Sequence, residues 1–408
     1  MPLSRIAQSA GTPVYVYSAA AIRAQYRALD EALAPVPHRI CYSVKANGNL
    51  AVLSLLRDLG AGVDIVSSGE LARALKAGFT GADVVFSGVG KTAEELRAAL
   101  EAGVGMINVE SGEEMAALEA LARAMGVRAP MAVRVNPEVD LHVHPYTTTG
   151  ARGKKFGVPR DEAADLALRA ARSPHLLLRG LALHLGSGIA ETAPFIEAVV
   201  KALEVVAEIR RGGVDTLAVL DLGGGLGIHY RDGDRPLDVR AYADAILPHV
   251  ATSRLTLVVE PGRFLVGAAG QLLTRVLYRK QSGGRMIAVV DAGMTDLIRP
   301  SHYQAWHEIL VDGADGRPRV HYDVVGPICE SGDFFALDRD LPELAQGDLL
   351  ALQGAGAYGF VMTSTYNARP RPPEVLVDGD RFAVVRERES ADDLMRGEAP
   401  RPTWQGTA

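Results

Sequence analysis

A chain of 408 residues, 48% hydrophobic and 23% charged, can bury a large core and is long enough for two or three domains, or a barrel with a companion. Its formal charge of −6 comes with no basic block, which argues against nucleic acid as a partner. The start, Met1-Pro2-Leu3-Ser4-Arg5, lacks a signal-peptide core, and no apolar run is long enough to span a bilayer. With Cys41 and Cys329 as the only thiols there is no disulfide framework, so a reducing, cytoplasmic location is expected.

Pro13-Val14-Tyr15-Val16-Tyr17 reads as a short strand, after which Ser18 can cap a helix running to about Leu33. Strand and helix then alternate. The strands are expected at Ile40–Val44, Gly62–Val66, Asp83–Ser87, Met106–Val109, Met131–Val135, Leu178–Leu185, Leu217–Leu222 and Leu255–Val259. Thr92-x-x-Glu95 and Ser111-x-x-Glu114 read as capping boxes. Gly60, Gly78, Gly103, Gly126 and Gly212 stand where helices should stop. Apolar runs flanked by helices are parallel strands covered on their outer face, and eight such units fit a (β/α)8 TIM-like barrel better than an open sheet.

After Gly270 the grammar changes. Gln271–Leu277, Arg285–Val290, Val320–Val325, Asp348–Leu352, Glu374–Val377 and Phe382–Val385 are β-rich and separated by Gly, Pro and Asp turns. The expected division is a barrel over 30–270, an all-β domain built from 1–29 and 271–395, and a flexible tail over 396–408.

Catalytic groups of such barrels lie at the carboxyl ends of the strands. Here those ends carry Lys45, Asp64, Ser67, Ser87, Glu110, Arg134, Asn136, His184, Ser187, the Gly223–Gly225 loop, Glu260 and Arg263. Lys45 closes an apolar strand. There, desolvation would lower its pKa and free the amine to attack a carbonyl, or the side chain simply snorkels to water. Asp221-Leu222-Gly223-Gly224-Gly225-Leu226-Gly227 is either a phosphate-binding loop or a tight turn, and it fails the dinucleotide fingerprint at Ile228. Gly90-Lys91-Thr92 is not a P-loop, because Val85 occupies the place of its first glycine. His142-Val143-His144 lies in a loop without a second ligand set, so no metal is expected. The Tyr146–Gly157 segment reads equally as a mobile cover or a solvated loop.

Taken together, the motifs resemble the fold-type III pyridoxal-phosphate (PLP) decarboxylases, and most closely the diaminopimelate decarboxylases, over about residues 10–395. The matching segments are Tyr42-Ser43-Val44-Lys45-Ala46-Asn47, His144-Pro145-Tyr146 through Lys155-Phe156-Gly157, Asp221–Gly227 and Glu260–Arg263. Beyond the barrel they are Asp291-Ala292-Gly293-Met294 with Leu297-Ile298-Arg299-Pro300, Cys329–Asp333, and Gly354–Phe360 with Tyr366-Asn367-Ala368-Arg369-Pro370. The resemblance implies a barrel and β-domain arranged as in alanine racemase and ornithine decarboxylase. Lys45 would hold PLP as a Schiff base, His184 would stack on its ring, and Glu260 would pair with the pyridine nitrogen. Ser187, Gly224, Gly225, Gly262 and Arg263 would take the phosphate, with Tyr358 nearby. Arg263, Arg299 and Tyr303, again with Tyr358, would grip the distal end of the substrate, and Glu330 would face its ammonium. Cys329 would return a proton to Cα, and Cys329 and Glu330 would reach the site of a partner subunit, implying a homodimer. One departure stands out: the family commonly writes His-x-His-Ile-Gly-Ser-Gln at the sixth strand end, and this chain has Ala182 and Gly188 at the first and last of those positions.

The expected activity is decarboxylation of meso-2,6-diaminopimelate to L-lysine and CO2, the last step of lysine biosynthesis. A relative acting on another amino acid or a carrier-bound substrate, a non-catalytic PLP-binding protein and a metal-dependent hydrolase are the rival readings.

Overall fold

The computed structural model describes residues 1–140, 149–150, 153–231, 233 and 236–405. Leu3–Ala10 forms a helix that the sequence reading did not assign, and its Ile6 packs with Val14, Val16, Leu273 and Val375. Strand β1 (Val14–Ser18) follows, and Ser18 accepts from the Ala21 amide to cap the helix Ala19–Leu33.

Eight parallel strands then close a barrel. They are β2 (His38–Ser43), β3 (Gly62–Ile65), β4 (Val84–Phe86), β5 (Met106–Val109), β6 (Ala129–Arg134), β7 (Leu176–Ala182), β8 (Val219–Asp221) and β9 (Thr256–Val259). Closure is made by β9 pairing β2, with His38 opposite Leu257 and Ile40 opposite Val259. The capping box at Thr92 and Glu95 forms with both of its bonds. At Ser111 only half of it forms: Ser111 accepts from the Glu114 amide, but Glu114 turns instead to the Glu110 amide and to Lys91 Nζ at 2.6 Å. The buried lysine is the stronger partner. Gly212 keeps a right-handed φ, and Gly213, at φ +90°, takes the left-handed turn expected of its neighbour.

The remaining strands are β10 (Gly270–Ser282), β11 (Arg285–Val290), β12 (Ile309–Val311), β13 (Arg319–Val325), β14 (Phe334–Pro342), β15 (Leu349–Leu352), β16 (Glu374–Asp378) and β17 (Arg381–Arg386). They form a mostly antiparallel sheet in the order β14-β13-β11-β10-β1-β16-β17, with β15 pairing both β10 and β12. Strand β1 is inserted between β10 and β16, antiparallel to the first and parallel to the second. The sequence reading missed β12 and β14. The first has three residues, and the second breaks alternation where its register shifts and Asp338 takes φ +50°.

The barrel interior explains where the site lies. Cys41, Val85, Met106, Ala132, Ala182, Val219 and Val258, from seven of the strands, form one apolar layer. On β3 the equivalent position is Gly62, where a Cβ would stand 2.9 Å from Cys41 Sγ. Side chains two residues further along a strand return to the same face. Those residues are Ser43, Asp64, Ser87, Asn108, Arg134, His184, Asp221 and Glu260, and all are polar. Each strand therefore changes from apolar to polar at the same height, so the barrel has an oily floor and a charged, hydrogen-bonding storey at its carboxyl mouth.

Candidate active site

The polar storey is wired together. Ser43 Oγ donates to Asp64 Oδ2 at 2.8 Å and lies 2.9 Å from the Glu260 carbonyl. Asn108 Nδ2 donates to Ser87 Oγ at 3.0 Å and to Asp221 Oδ2 at 3.3 Å. Ser87 Oγ in turn lies 3.4 Å from Glu260 Oε1. The Gly223 amide donates to Asp221 Oδ1 at 2.9 Å, and the Glu260 amide to the Gly223 carbonyl at 2.7 Å. Burial first, then the charges of Asp221 and Asp64, hold the Glu260 carboxyl well above its usual range. Burial also pushes Asp221 up to about 6. The two carboxyls are hydrogen-bonded to each other, and like charges this close are relieved by sharing one proton.

Lys45 sits on the single turn Val44–Ala46 just beyond β2, and its Nζ pairs with Asp64 Oδ2. The sequence reading expected its pKa to fall, and the structure reverses that sign. Burial does act to lower it, but the carboxylates of Asp64 and Glu260 outweigh burial and the net shift is upward. Asp64 Oδ1 is buried and has no hydrogen-bond partner among the described residues. A cavity of ≈350 Å³ opens at this lysine, lined among others by Glu70, Arg73, Tyr358 and Met362.

His184 faces the same mouth. Its Nδ1 accepts from the Gly224 amide at 3.1 Å, which places the ring proton on Nε2. Burial, then the nearby charges of Arg134 and Lys45, keep its pKa well below the usual value, so the ring is neutral. The glycine loop after β8 needs its glycines: a Cβ on Gly224 would stand 2.2 Å from the Glu260 carbonyl oxygen. One on Gly225, at φ +103°, would stand 2.7 Å from that of Gly186. A Cβ on Gly262 would stand 2.9 Å from the Ala46 Cβ.

Arg263 does not form an ion pair with Glu260. Its Nε and Nη2 donate to Ser187 Oγ at 3.3 and 3.1 Å, and its Nη1 donates to the Tyr230 hydroxyl. It also lies over the Tyr358 ring, 4.8 Å from the centroid. Arg299, at the start of the short helix Arg299–Tyr303, lies over the ring of Tyr230, 4.8 Å from its centroid. Among the described residues neither guanidinium has a carboxylate partner. Two neighbouring cations with only neutral company form a site for an anion. Tyr303 occupies the end of the same helix and packs its ring against His302.

The β-domain closes one side of this mouth. The Tyr358 amide, at φ +55°, donates to the Ala46 carbonyl at 2.8 Å, and Asn47 Nδ2 to the Gly356 carbonyl at 3.1 Å. Cys329 and Glu330 are the site residues not brought in. Both are exposed on a turn held by Asp333, whose carboxylate accepts from the Met294 and Ile328 amides at 2.6 Å each. The Cys329 amide donates to Asn367 Oδ1 at 3.0 Å. Ala182 belongs to the apolar floor beneath His184, and Gly188, at φ +80°, has open space where a Cβ would point. The sequence reading missed Tyr230, Asp221 and Asn108 as site residues. The apolar-to-polar switch between positions n and n+2 would have exposed the last two, and nothing local marks Tyr230. His142, His144 and residues 146–148 and 151–152 of the segment read as a mobile cover lie outside the described residues, among which no cluster of His, Cys, Asp or Glu is placed to hold a metal. No helix among them is long and apolar enough to cross a membrane.

Residues 19–267 match the family model described as "Pyridoxal-dependent decarboxylase, pyridoxal binding domain". Diaminopimelate decarboxylase of Pseudomonas aeruginosa is 53% identical over 98% of this chain and 96% of its own length. That of Vibrio cholerae is 45% identical with the same coverage. The crystal structure of diaminopimelate decarboxylase from Helicobacter pylori, complexed with L-lysine, superposes with a TM-score of 0.93 at 40% identity, covering 97% of this chain and 98% of that one. The ring of polar groups above the apolar floor is thus the mouth of a known kind of barrel, and the chain belongs to the pyridoxal-dependent decarboxylases, in the diaminopimelate decarboxylase family.

Proposed function

We propose that this protein decarboxylates meso-2,6-diaminopimelate at its D-configured carbon, yielding L-lysine and CO2, with pyridoxal phosphate as cofactor. The donor set fits that cofactor. It offers an amine for the aldehyde, a proton-bearing carboxyl for the ring nitrogen, a neutral imidazole, and a hydroxyl and guanidinium beside glycine amides for the phosphate. The buried Asp64 oxygen, without a hydrogen-bond partner among the described residues, supports a polar ligand group at this mouth.

When bound, pyridoxal phosphate supplies an electron sink for the pair left on Cα as CO2 departs. Lys45 would hold the cofactor through Nζ, with Asp64 beside it as counter-charge. Glu260, its carboxyl raised by burial and then by Asp221, would pair with the ring nitrogen and supply its proton. His184, fixed by the Gly224 amide, offers a flat neutral face. Ser187, Gly224, Gly225, Gly262 and Arg263 line the phosphate end, next to Tyr358. Arg299, Arg263, Tyr303 and Tyr358 orient the substrate's far carboxylate, and Glu330 its ammonium. The thiol of Cys329 delivers the proton to Cα.

The single observation that carries the substrate is the pair Arg263 and Arg299, two guanidiniums without a carboxylate partner among the described residues, at the mouth that holds Lys45. Cys329 and Glu330 are exposed on this chain, which supports a homodimer in which each copy lends that turn to its partner's mouth. The barrel, residues 30–270, carries the cofactor in this reading. The β-domain, 1–29 with 271–395, frames the substrate, and 396–408 is a tail. The two unpaired thiols suit a reducing cytoplasm. Purified protein with pyridoxal phosphate should convert diaminopimelate to lysine with matching CO2 release, and borohydride should fix the label on Lys45. No lysine formation, or a label elsewhere, would refute the proposal.

A further inference from the structure

Arg299 is held by a residue that no part of the preceding reading uses. His307 follows it by eight positions, is fully buried, and sits just before β12. Its Nδ1 lies 2.7 Å from the Gln353 carbonyl, and its Nε2 lies 2.9 Å from Arg299 Nη1. Both partners have a single role. A carbonyl only accepts, so Nδ1 carries the proton; a guanidinium only donates, so Nε2 presents its lone pair. The ring is thereby fixed as one neutral tautomer, with no freedom to turn.

Its surroundings reinforce that state. The charged groups facing it are Arg299, Arg263 and Arg339, all cationic, and the last donates to the His307 carbonyl at 2.9 Å. Burial and these charges push its pKa down to about 3. The Tyr230 ring stands edge-on to it with centroids 5.7 Å apart. Gly354, at φ +68°, leaves the room: a Cβ there would stand 3.2 Å from the Tyr230 ring and 4.0 Å from His307 Nδ1. Strand β15, which ends next to Gln353, is paired to β10 in the main sheet. A rigid element thus reaches the guanidinium through a single ring.

We propose that His307 is a positioning residue for substrate recognition: by accepting one N–H of Arg299 and tying it to the Gln353 carbonyl, it aims the remaining donors of that guanidinium at the substrate's non-reacting carboxylate. The proposal rests on the reading that Arg299 binds that carboxylate. An arginine stem has four rotatable bonds, and a bidentate contact requires its fork in one plane. A neutral acceptor supplies that constraint without consuming the positive charge, which a carboxylate in the same place would cancel.

The test uses the holoenzyme. His307→Asn retains a donor near the Gln353 carbonyl and removes the acceptor, and His307→Gln restores an acceptor near the lost Nε2. His307→Asn should raise KM for diaminopimelate about tenfold or more while kcat at saturation falls far less, and His307→Gln should recover part of the loss. By calorimetry, His307→Asn should weaken L-lysine, which keeps the carboxylate, by a similar factor. It should leave 1,5-diaminopentane, with the same amines and no carboxylate, bound as by the parent. Equal weakening of both ligands, or of neither, overturns the proposal. A measurement on the parent protein stands if the variants do not fold: nitrogen-15 spectra should show His307 protonated on Nδ1 alone from about pH 5 to about pH 8, and an imidazolium or the other tautomer overturns it. A parent that binds no L-lysine removes the reading of Arg299 itself, whereas a parent that binds it with unaffected variants removes only the role of His307.

Discussion

Lys45 and Asp64 form an ion pair at the carboxyl mouth of the barrel, and the Asp64 oxygen that takes the ammonium also accepts from Ser43 Oγ. The carboxylate is fully buried while the lysine is part-exposed, so the pair holds the amine in its charged form in the absence of cofactor. Attack on an aldehyde requires the neutral amine. Covalent attachment of pyridoxal phosphate to cofactor-free protein should therefore accelerate as pH rises. In Asp64→Asn the largest upward influence is gone and burial is opposed only by the weaker ones that remain, so the profile should move to lower pH. Stopped-flow absorbance across pH reads this directly, and superimposable profiles for parent and variant would show that Asp64 does not set the lysine's charge.

In the glycine loop after β8, Gly224 is tight against backbone, not flexible side chains. Gly224→Ala should cost at least about 1–3 kcal/mol, because the new methyl meets the Glu260 carbonyl and neither strand end can retreat. The amide that fixes His184 would shift with it. A fall in melting temperature together with loss of bound cofactor is expected. A variant with parental melting and full cofactor content would show that the loop yields.

Asp221 titrates at about 6 in the fold against an ordinary 3.8, so the native state holds a proton that the unfolded chain releases. Stability from that proton is fully present below about pH 4 and is lost as pH rises through about 6. Glu260 is shifted in the same direction and shares the proton. In cofactor-free protein, the parent should lose more stability than Asp221→Asn between pH 4 and pH 7. Denaturant unfolding at the two pH values measures the difference, and an equal loss in both proteins would remove the shared proton from the account.

The proposal that the Cys329 turn serves the other subunit can be tested by complementation. Lys45→Ala and Cys329→Ala homodimers should each be nearly inactive. Mixed and allowed to exchange, half of the dimers become hybrid and each hybrid has one site with both residues intact, so about a quarter of parental activity should return. No recovery, in samples shown to have exchanged, would place Cys329 and Lys45 of one chain in the same mouth.

The sequence by itself determined the eight-strand alternation, the switch to β grammar after Gly270 and the presence of Lys45, His184, Glu260 and Arg263 at strand ends. Those features are written locally, because strand ends, capping pairs and helix stops depend on residues a few positions apart. Only the tertiary structure decided the sign of the Lys45 shift, since the carboxylate that reverses it is nineteen positions away on the next strand. The same holds for the proton shared by Asp221 and Glu260, and for Tyr230 and His307 beside the two arginines. Burial and charge act through space, and their balance at any one group is settled only when barrel closure and the β-domain bring distant residues to the same few ångströms.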